Sequence, residues 1–362
     1  MHISTETGLL DRIQQNLTDY LVFHRAETRS LDPAFATAVE HLVQFVLNGG
    51  KRLRPTFAWW GWRAAGGPDN TAQAGAALRA ASALELLHAA MLVHDDIIDN
   101  TDTRRGHPTI HHTFTTLHHN RTWNGNAVQF GTSAATLLGD LALVWADDML
   151  HSSGLDPHAV ARALRPWQAM RTEVLAGQYL DILSPARGDH TSPTAVRIAE
   201  LKSASYTVQR PLEIGAEIAG ADQWTLEILR RFGSRIGIAF QLRDDVLGVF
   251  GDPAITGKPA GEDLREGKRT LLIADAFSRT RDQHDHEAID LLQHLLGNPE
   301  LDDTHVDQAR ETLNRLGALD AVERQITELT TTAIATLHES GLPEPANTQL
   351  TKLADAATNR DH

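Results

Sequence analysis

Apolar residues recur every third or fourth position over residues 71–98, and again over 132–150, 162–183, 194–219 and 224–250. That spacing lines up one face of a helix and lacks the alternation a strand needs. Breaks rich in Gly and Pro separate the stretches, at Gly66-Gly67-Pro68, Ser152-Ser153-Gly154, Ser184-Pro185-Ala186-Arg187-Gly188 and Gly251-Asp252-Pro253. The chain therefore reads as an all-α fold of roughly ten or more helices joined by short loops. No fixed internal repeat is visible, and one domain spanning residues 1–362 is the economical expectation, with frayed ends at about 1–8 and 344–362.

Two of these helical stretches end in paired aspartates. The first carries Asp95, Asp96 and Asp99, with Arg104 and Arg105 close behind. Positions i and i+4 share a helix face, so Asp95 and Asp99 project together and repel unless a cation lies between them. The second carries Gln241, Asp244 and Asp245, followed by Lys258 and Lys268. Carboxylates do not bind phosphate, but carboxylates that hold Mg²⁺ do, because the metal bridges the two. Two such clusters facing one cavity, with Lys and Arg around it, suit diphosphate chemistry. A third feature is the basic strip Gly49-Gly50-Lys51-Arg52-Leu53-Arg54 at the start of a helical segment. There, Lys51, Arg54 and the helix N-terminus all favour phosphate.

Bulk properties narrow the partners. A formal net charge of −14 argues against binding nucleic acid or an anionic membrane. In so acidic a chain a local basic cluster stands out. Cysteine is absent, which excludes disulfides, thiolate metal sites and cysteine nucleophiles. Residues 1–6 show neither a basic nor an apolar leader pattern, and no apolar run reaches the roughly 18 residues of a membrane span. A cytoplasmic protein without a transmembrane segment is expected.

The ordered set Gly-Gly-Lys-x-x-Arg, His-x6-Asp-Asp-x-x-Asp, Arg-Arg-Gly, Lys-Ser, Gln-x-x-Asp-Asp and Gly-Lys resembles the trans-isoprenyl diphosphate synthases, or polyprenyl synthetases, over about residues 42–272. The resemblance implies an antiparallel helical bundle around a deep central cavity, in a homodimer. It implies Mg²⁺ as cofactor, three ions per site: two on Asp95, Asp96 and Asp99, and a third on Asp244 with Asp245 and Gln241 in support. Arg104, Lys202, Lys258 and Lys268 would touch an allylic diphosphate, with Ser203 near the reacting centre. Lys51, Arg54, His88 and Arg105 would hold isopentenyl diphosphate. The implied reaction is head-to-tail chain elongation from dimethylallyl, geranyl or farnesyl diphosphate.

One position departs from the pattern. The second motif of the family closes with Asp, and this chain has Gly248 there. Metal binding would then lean on Asp244, on water, or on the later acids Asp252 and Asp263. Product length is expected to depend on Leu87, Ala90 and Met91, one to two turns before Asp95. The family places an aromatic residue five before the first Asp when the product has fifteen carbons. Ala90 has no ring, and Met91 is of middle size, which points to geranylgeranyl diphosphate. Farnesyl or longer-chain synthesis, a class I terpene cyclase and an inactive partner subunit are the alternatives. The cyclase would not need Lys51, Arg54 and His88, and the inactive subunit would be expected to lose the first Asp cluster.

His111, His112, His118 and His119 read as a solvated surface rather than a metal site, and Asp147-Asp148 as surface acids. Trp59, Trp60 and Trp62 are expected to pack in the core or a subunit interface.

Overall fold

The computed structural model describes residues 6–189, 191–252 and 261–358, and these cluster into two compact units. The first comprises residues 1–164 and 211–221, the second residues 165–210 and 222–362. Almost everything described is helical, as the spacing of apolar residues required.

The first unit is built around α4 (Ala72–Ile98), which starts where the Thr71 hydroxyl accepts from the Ala74 N–H at 3.1 Å. The helix is buried on nearly every face, so it shows no polar stripe and acts as the central core element. It packs against α1 (Glu6–Leu31), α2 (Pro33–Leu47), α3 (Leu53–Ala64), α5 (Ile110–Asn120) and α6 (Ala127–His151). Trp59, Trp60 and Trp62 on α3 are buried in this core. α3 meets α9 (Arg210–Ala219) backbone to backbone. A side chain at Gly61 would stand 2.1 Å from the Leu212 carbonyl oxygen, and one at Gly215 would stand 1.8 Å from that of Ala58.

The sequence expectation of no span-length apolar stretch needs correcting. α4 and α6 are both long and apolar enough to cross a membrane by length and composition. The apolarity of α4 serves the core, where most of it is buried, whereas α6 leaves most of its apolar window uncovered by this chain. A second correction concerns the histidines. His111 and His118 are buried, because they share with Ile110 and Phe114 the α5 face that packs on α6. His118 Nε2 lies 3.2 Å from the Asn124 carbonyl oxygen and His111 Nδ1 3.2 Å from the Thr109 hydroxyl.

The second unit contains most of α7 (Pro157–Arg187), α8 (Ser192–Ile198), a π-helix (Ala199–Gln209) and α10 (Gln223–Phe250). Thus the single helix expected over residues 194–219 is widened in its middle. The wide turns end at Gln209, two residues before Pro211, which lacks an N–H and whose ring would clash with the carbonyl four residues back in a regular helix. Gly233 and Gly237 let α10 lie on the π-helix: added side chains would stand 2.6 Å from Gln209 Cα and 2.5 Å from Ala204 Cα. Beyond come α11 (Glu262–Arg265), α12 (Leu271–Asp282), α13 (His286–Leu295), α14 (Asp303–Arg315), α15 (Ala318–His338) and α16 (Glu344–Thr358). Leu242, Val246, Val249, Leu264, Leu272, Leu292, Leu313 and Val322 form the core they share.

The tail from Glu344, expected to fray, is instead the helix α16, with Leu350, Ala354 and Thr358 buried. Arg243 ties it down, donating from Nε to the Thr358 carbonyl at 2.9 Å and forking onto Glu323 of α15 at 2.6 and 2.7 Å.

Candidate active site

In the first unit, α2 gives way to Gly49 and Gly50, both with φ above 100°. Only glycine adopts that conformation readily, and the missing side chains also make room. The Arg105 guanidinium lies over this loop, its Nη1 3.3 Å from where a Gly50 Cβ would be. Next in the chain, Lys51 is exposed, Arg52 is buried in a left-handed conformation at the head of α3, and Arg54 is half-buried. Arg52 points inward: Nη1 meets Glu85 Oε2 at 2.7 Å, while Nη2 donates to Gln14 Oε1 at 2.9 Å and to the Val46 carbonyl at 2.8 Å. The side chain in the middle of the basic strip therefore anchors the loop, with exposed Lys51 and half-buried Arg54 on either side of it.

His88, half-buried on α4, has its imidazole pushed well below the usual pKa, first by burial and then by the charges of Arg54, Arg105, Arg104 and Arg52. It is a neutral imidazole among cations. Burial also lowers the Arg105 pKa, Glu85 opposes this, and Arg104, Arg52 and Arg54 add to it. Four guanidinium groups and one neutral histidine thus gather in a chain whose net charge is −14. Such a cluster is a place for a multivalent anion.

The first aspartate cluster closes α4. A helix turns about 100° per residue, so adjacent aspartates face different ways. Asp95 and Asp99 are half-buried, whereas Asp96 is 1% exposed. Arg104 Nε donates to Asp96 Oδ1 at 2.6 Å and Nη2 to Asp95 Oδ2 at 3.3 Å. Burial by itself lowers the Arg104 pKa, and the charges of Asp96 and Asp95 overcome it, so the pKa stands above its ordinary value. Arg104 arrives on a two-stranded hairpin, β1 (Thr103–Arg104) and β2 (His107–Pro108), with Arg104 opposite His107. The turn residues Arg105 and Gly106 both have positive φ, as a two-residue hairpin turn prefers. Before the cluster on α4, Leu87 and Ala90 are fully buried and Met91 is half-buried, one turn ahead of Asp95.

In the second unit, Lys202 sits on the π-helix and pairs with Asp181 of α7, Nζ to Oδ2 at 2.7 Å. Gly177 of α7 permits this, because a side chain there would stand 2.5 Å from the Lys202 backbone nitrogen. Ser203 is half-buried beside it. A further group was not foreseen: Glu173 accepts from the Ser205 hydroxyl and from Arg210 Nε, the latter at 2.9 Å.

On α10, the second aspartate pair repeats the arrangement of the first. Asp244 is exposed, while Asp245 is buried and accepts from Gln241 Nε2 at 2.6 Å. Burial pushes the Asp245 carboxyl pKa well up, and the nearby charges of Asp263 and Asp244 add to this, against the Gln241 hydrogen bond. Asp263 comes from α11 and lies against Gly248. A Cβ built on Gly248 would be 2.0 Å from Asp263 Oδ2 and 2.5 Å from its Cγ. Lys268 Nζ is 3.2 Å from Asp263 Oδ1 and 2.5 Å from Glu266 Oε2. Asp252, the other late acid, is exposed. Lys258 lies outside the described residues.

The polyprenyl synthetase family model matches residues 33–313. This chain is a member of the polyprenyl synthetase family. Among its relatives are the geranylfarnesyl diphosphate synthase of Aeropyrum pernix, 31% identical over 311 residues, and the geranylgeranyl diphosphate synthase of Mycobacterium tuberculosis, 34% identical over 265. The first alignment covers 80% of this chain and 90% of that protein, the second 71% and 69%. A solved geranylgeranyl pyrophosphate synthase from Corynebacterium glutamicum, complexed with isoprenyl diphosphate and magnesium, superposes with a TM-score of 0.92. It is 43% identical, over 96% of this chain and 97% of that one. The fold is that of the isoprenyl synthases, and this family member is a prenyltransferase of isoprenoid biosynthesis.

The family is Mg²⁺-dependent in general, and the donor set here fits a hard cation: carboxylate oxygens on α4 and α10, with no thiolate in the chain. Among the described residues, no three acidic or imidazole groups converge into a ready coordination shell. Mg²⁺ commonly takes one or two carboxylates and completes its shell with water and substrate phosphate. Two separate carboxylate clusters suit that mode of binding.

Proposed function

We propose that this prenyltransferase condenses isopentenyl diphosphate head-to-tail with dimethylallyl, geranyl and farnesyl diphosphate, yielding mainly geranylgeranyl diphosphate and free diphosphate. One observation carries the reading. At the end of α4, aspartates spaced i and i+4 stand beside a cluster of Arg52, Arg54, Arg104 and Arg105 around a neutral His88. Arg54, Arg105, exposed Lys51 and neutral His88 are assigned to isopentenyl diphosphate. Arg104, Lys202, Lys258 and Lys268 are assigned to the allylic diphosphate, with Ser203 and Gln241 beside them. Asp95, Asp96, Asp99, Asp244 and Asp245 form the metal set, in which Asp96 and Asp245 are the inward-facing members.

Magnesium, three ions in this reading, supplies positive charge to the departing diphosphate. Lys and Arg side chains bind and orient both diphosphates, and they stabilise the charge that develops as the allylic C–O bond breaks. The terminal alkene of isopentenyl diphosphate then forms the new C–C bond. The proton lost from the adjacent carbon passes to the released diphosphate, so no side-chain base is required. Apolar side chains around the growing chain keep water from the cation.

Chain length is assigned to Leu87, Ala90 and Met91. Ala90 presents no ring to stop growth at fifteen carbons, and Met91 lies one turn before Asp95. The protein is assigned to the cytoplasm as a homodimer, with residues 1–362 forming one prenyltransferase domain. The dimer is supported by exposed Phe130, Leu137 and Val144, which recur every seven residues along α6.

The test is a product assay with Mg²⁺, labelled isopentenyl diphosphate and each allylic starter, with products sized after dephosphorylation. A twenty-carbon alcohol is expected. Fifteen- or twenty-five-carbon alcohols would keep the reaction and overturn the chain-length assignment. Failure to incorporate label with any starter would overturn the reaction.

A further inference from the structure

The π-helix Ala199–Gln209 runs for 11 residues, although wide turns ordinarily occur as single-turn bulges inside α-helices. It carries Lys202 and, next to it, Ser203. An α-helix would satisfy the same backbone groups, so the winding is set by what packs on it.

α7 grips these turns at two points. At one, Asp181 Oδ2 takes the Lys202 ammonium at 2.7 Å, and Gly177 lets the two backbones approach. At the other, Glu173 meets Arg210, the first residue of α9. Arg210 Nε donates to Glu173 Oε2 at 2.9 Å and Nη2 donates to Oε1, a two-pronged pair. The Ser205 hydroxyl donates to the same Oε2. A serine within a helix ordinarily points to solvent or bonds back to a carbonyl of the preceding turn. Ser205 is buried and reaches out of its own helix to Glu173 instead. Glu173 therefore holds the interior and the end of the wide turns at once.

Burial by itself would raise the Glu173 pKa. The hydrogen bonds from Arg210 and Ser205, with the charges of Arg210 and Arg197, overcome it and keep the pKa below its ordinary value, so the group is a carboxylate at neutral pH. Residues 173 and 181 are eight apart on α7, about 12 Å along the helix axis. Their partners, 210 and 202, are also eight apart and follow in the reverse order. With both ends pinned, the turns between them cannot rewind without moving the Lys202 side chain.

We propose that Glu173 is a positioning residue for the allylic diphosphate: by holding Ser205 and Arg210 it fixes the winding of the π-helix, and with it the direction of Lys202. The proposal rests on the assignment of Lys202 to the allylic substrate and adds a residue that acts through it.

The experiment is steady-state kinetics of Glu173→Gln with farnesyl diphosphate and labelled isopentenyl diphosphate, each varied in turn, with thermal midpoints as the folding control. Glutamine keeps the shape of the side chain and removes its charge. The kcat/KM for farnesyl diphosphate should fall about tenfold, while the KM for isopentenyl diphosphate stays within about twofold of the parent. The same change is then made in a Lys202→Ala background. There it should cost less than about threefold, because residues that act as a unit do not lose activity additively. Equal losses in the two backgrounds, or a joint rise of both KM values, would mark a general loosening and overturn the proposal. An allylic kcat/KM for Glu173→Gln within about twofold of the parent overturns it too, with the prenyltransfer chemistry left standing. Ser205→Ala leaves the ion pair in place and carries the test if Glu173→Gln does not fold. It should lose about threefold on the allylic substrate alone, and no loss there counts against Glu173 in the same way. A parent chain that incorporates no label with any starter would bring down the proposed reaction and this assignment together.

Discussion

Replacing Glu85 by Gln removes one charge from a pair that solvent hardly reaches. Arg52 is 8% exposed and Glu85 4%, with Nη1 and Oε2 2.7 Å apart. Removing one partner of a buried ion pair costs about 3–5 kcal/mol, because the remaining charge stays buried. Here Arg52 keeps two neutral acceptors, Gln14 Oε1 at 2.9 Å and the Val46 carbonyl at 2.8 Å. The new amide oxygen can also accept a hydrogen bond, so the cost falls to about 2–3 kcal/mol. For a compact unit of this size, that lowers the thermal midpoint by roughly 5–10 °C.

A functional consequence follows from where Arg52 sits. Its left-handed backbone, at φ 50°, joins the Gly49-Gly50 turn to α3, and its hydrogen bond to Val46 closes that turn. Loosening it should blur the placement of Lys51 and Arg54. We expect Glu85→Gln to raise the KM for isopentenyl diphosphate about tenfold, with a smaller change in kcat, since misplaced positioning groups weaken binding before chemistry. The double replacement Arg52→Met with Glu85→Leu separates the two effects. An apolar pair of similar volume restores stability, but methionine cannot donate to Val46, so the KM should remain high. An unchanged midpoint and KM in Glu85→Gln would refute the clamp. A double variant normal in both would show that the pair contributes stability alone.

Three further outcomes are expected. Met91→Phe should shorten the main product by one five-carbon unit, read by chromatography of the dephosphorylated alcohols; unchanged lengths would move the floor away from this turn of α4. Asp245→Asn should stabilise the metal-free protein at neutral pH. The folded pKa of Asp245 is raised, so its stabilising contribution is complete below the unfolded value of about 3.9 and is lost as pH rises through the folded one. Denaturation curves of parent and variant should therefore coincide near pH 3.5 and separate as pH rises; a constant gap at all pH values would contradict this. Leu137 is 67% exposed on α6, and if the proposed dimer forms through this face, Leu137→Glu should shift sedimentation from dimer to monomer without changing the circular dichroism; an unchanged sedimentation coefficient would remove this face from the dimer.

The residues that sequence reasoning recovered are those whose meaning is local. Helical spacing on α4 and α10 put Asp95 with Asp99 and located both aspartate pairs, because i and i+4 align wherever a helix forms. The same geometry read one step further separates Asp95 from Asp96, and Asp244 from Asp245, since a turn of about 100° per residue sends neighbours into different surroundings. What that geometry cannot supply is the partner. Asp96 is met by Arg104 from a hairpin and Asp245 by Gln241 from the preceding turn, and only the second lies at a readable interval.

Glu85 was hidden for the opposite reason. A single acid inside an Ala- and Leu-rich run reads as a helix facing water, yet α4 has no watered face there, and its charge is answered by Arg52 from another helix start. An acid in a stretch too apolar to be amphipathic is itself the usable signal, since burying it alone is costly. Gly248 carries the same lesson at a site. A missing side chain at a motif position shows only that something there is small; that the volume holds the carboxylate of Asp263, fifteen positions on, emerges only once α11 is folded against α10.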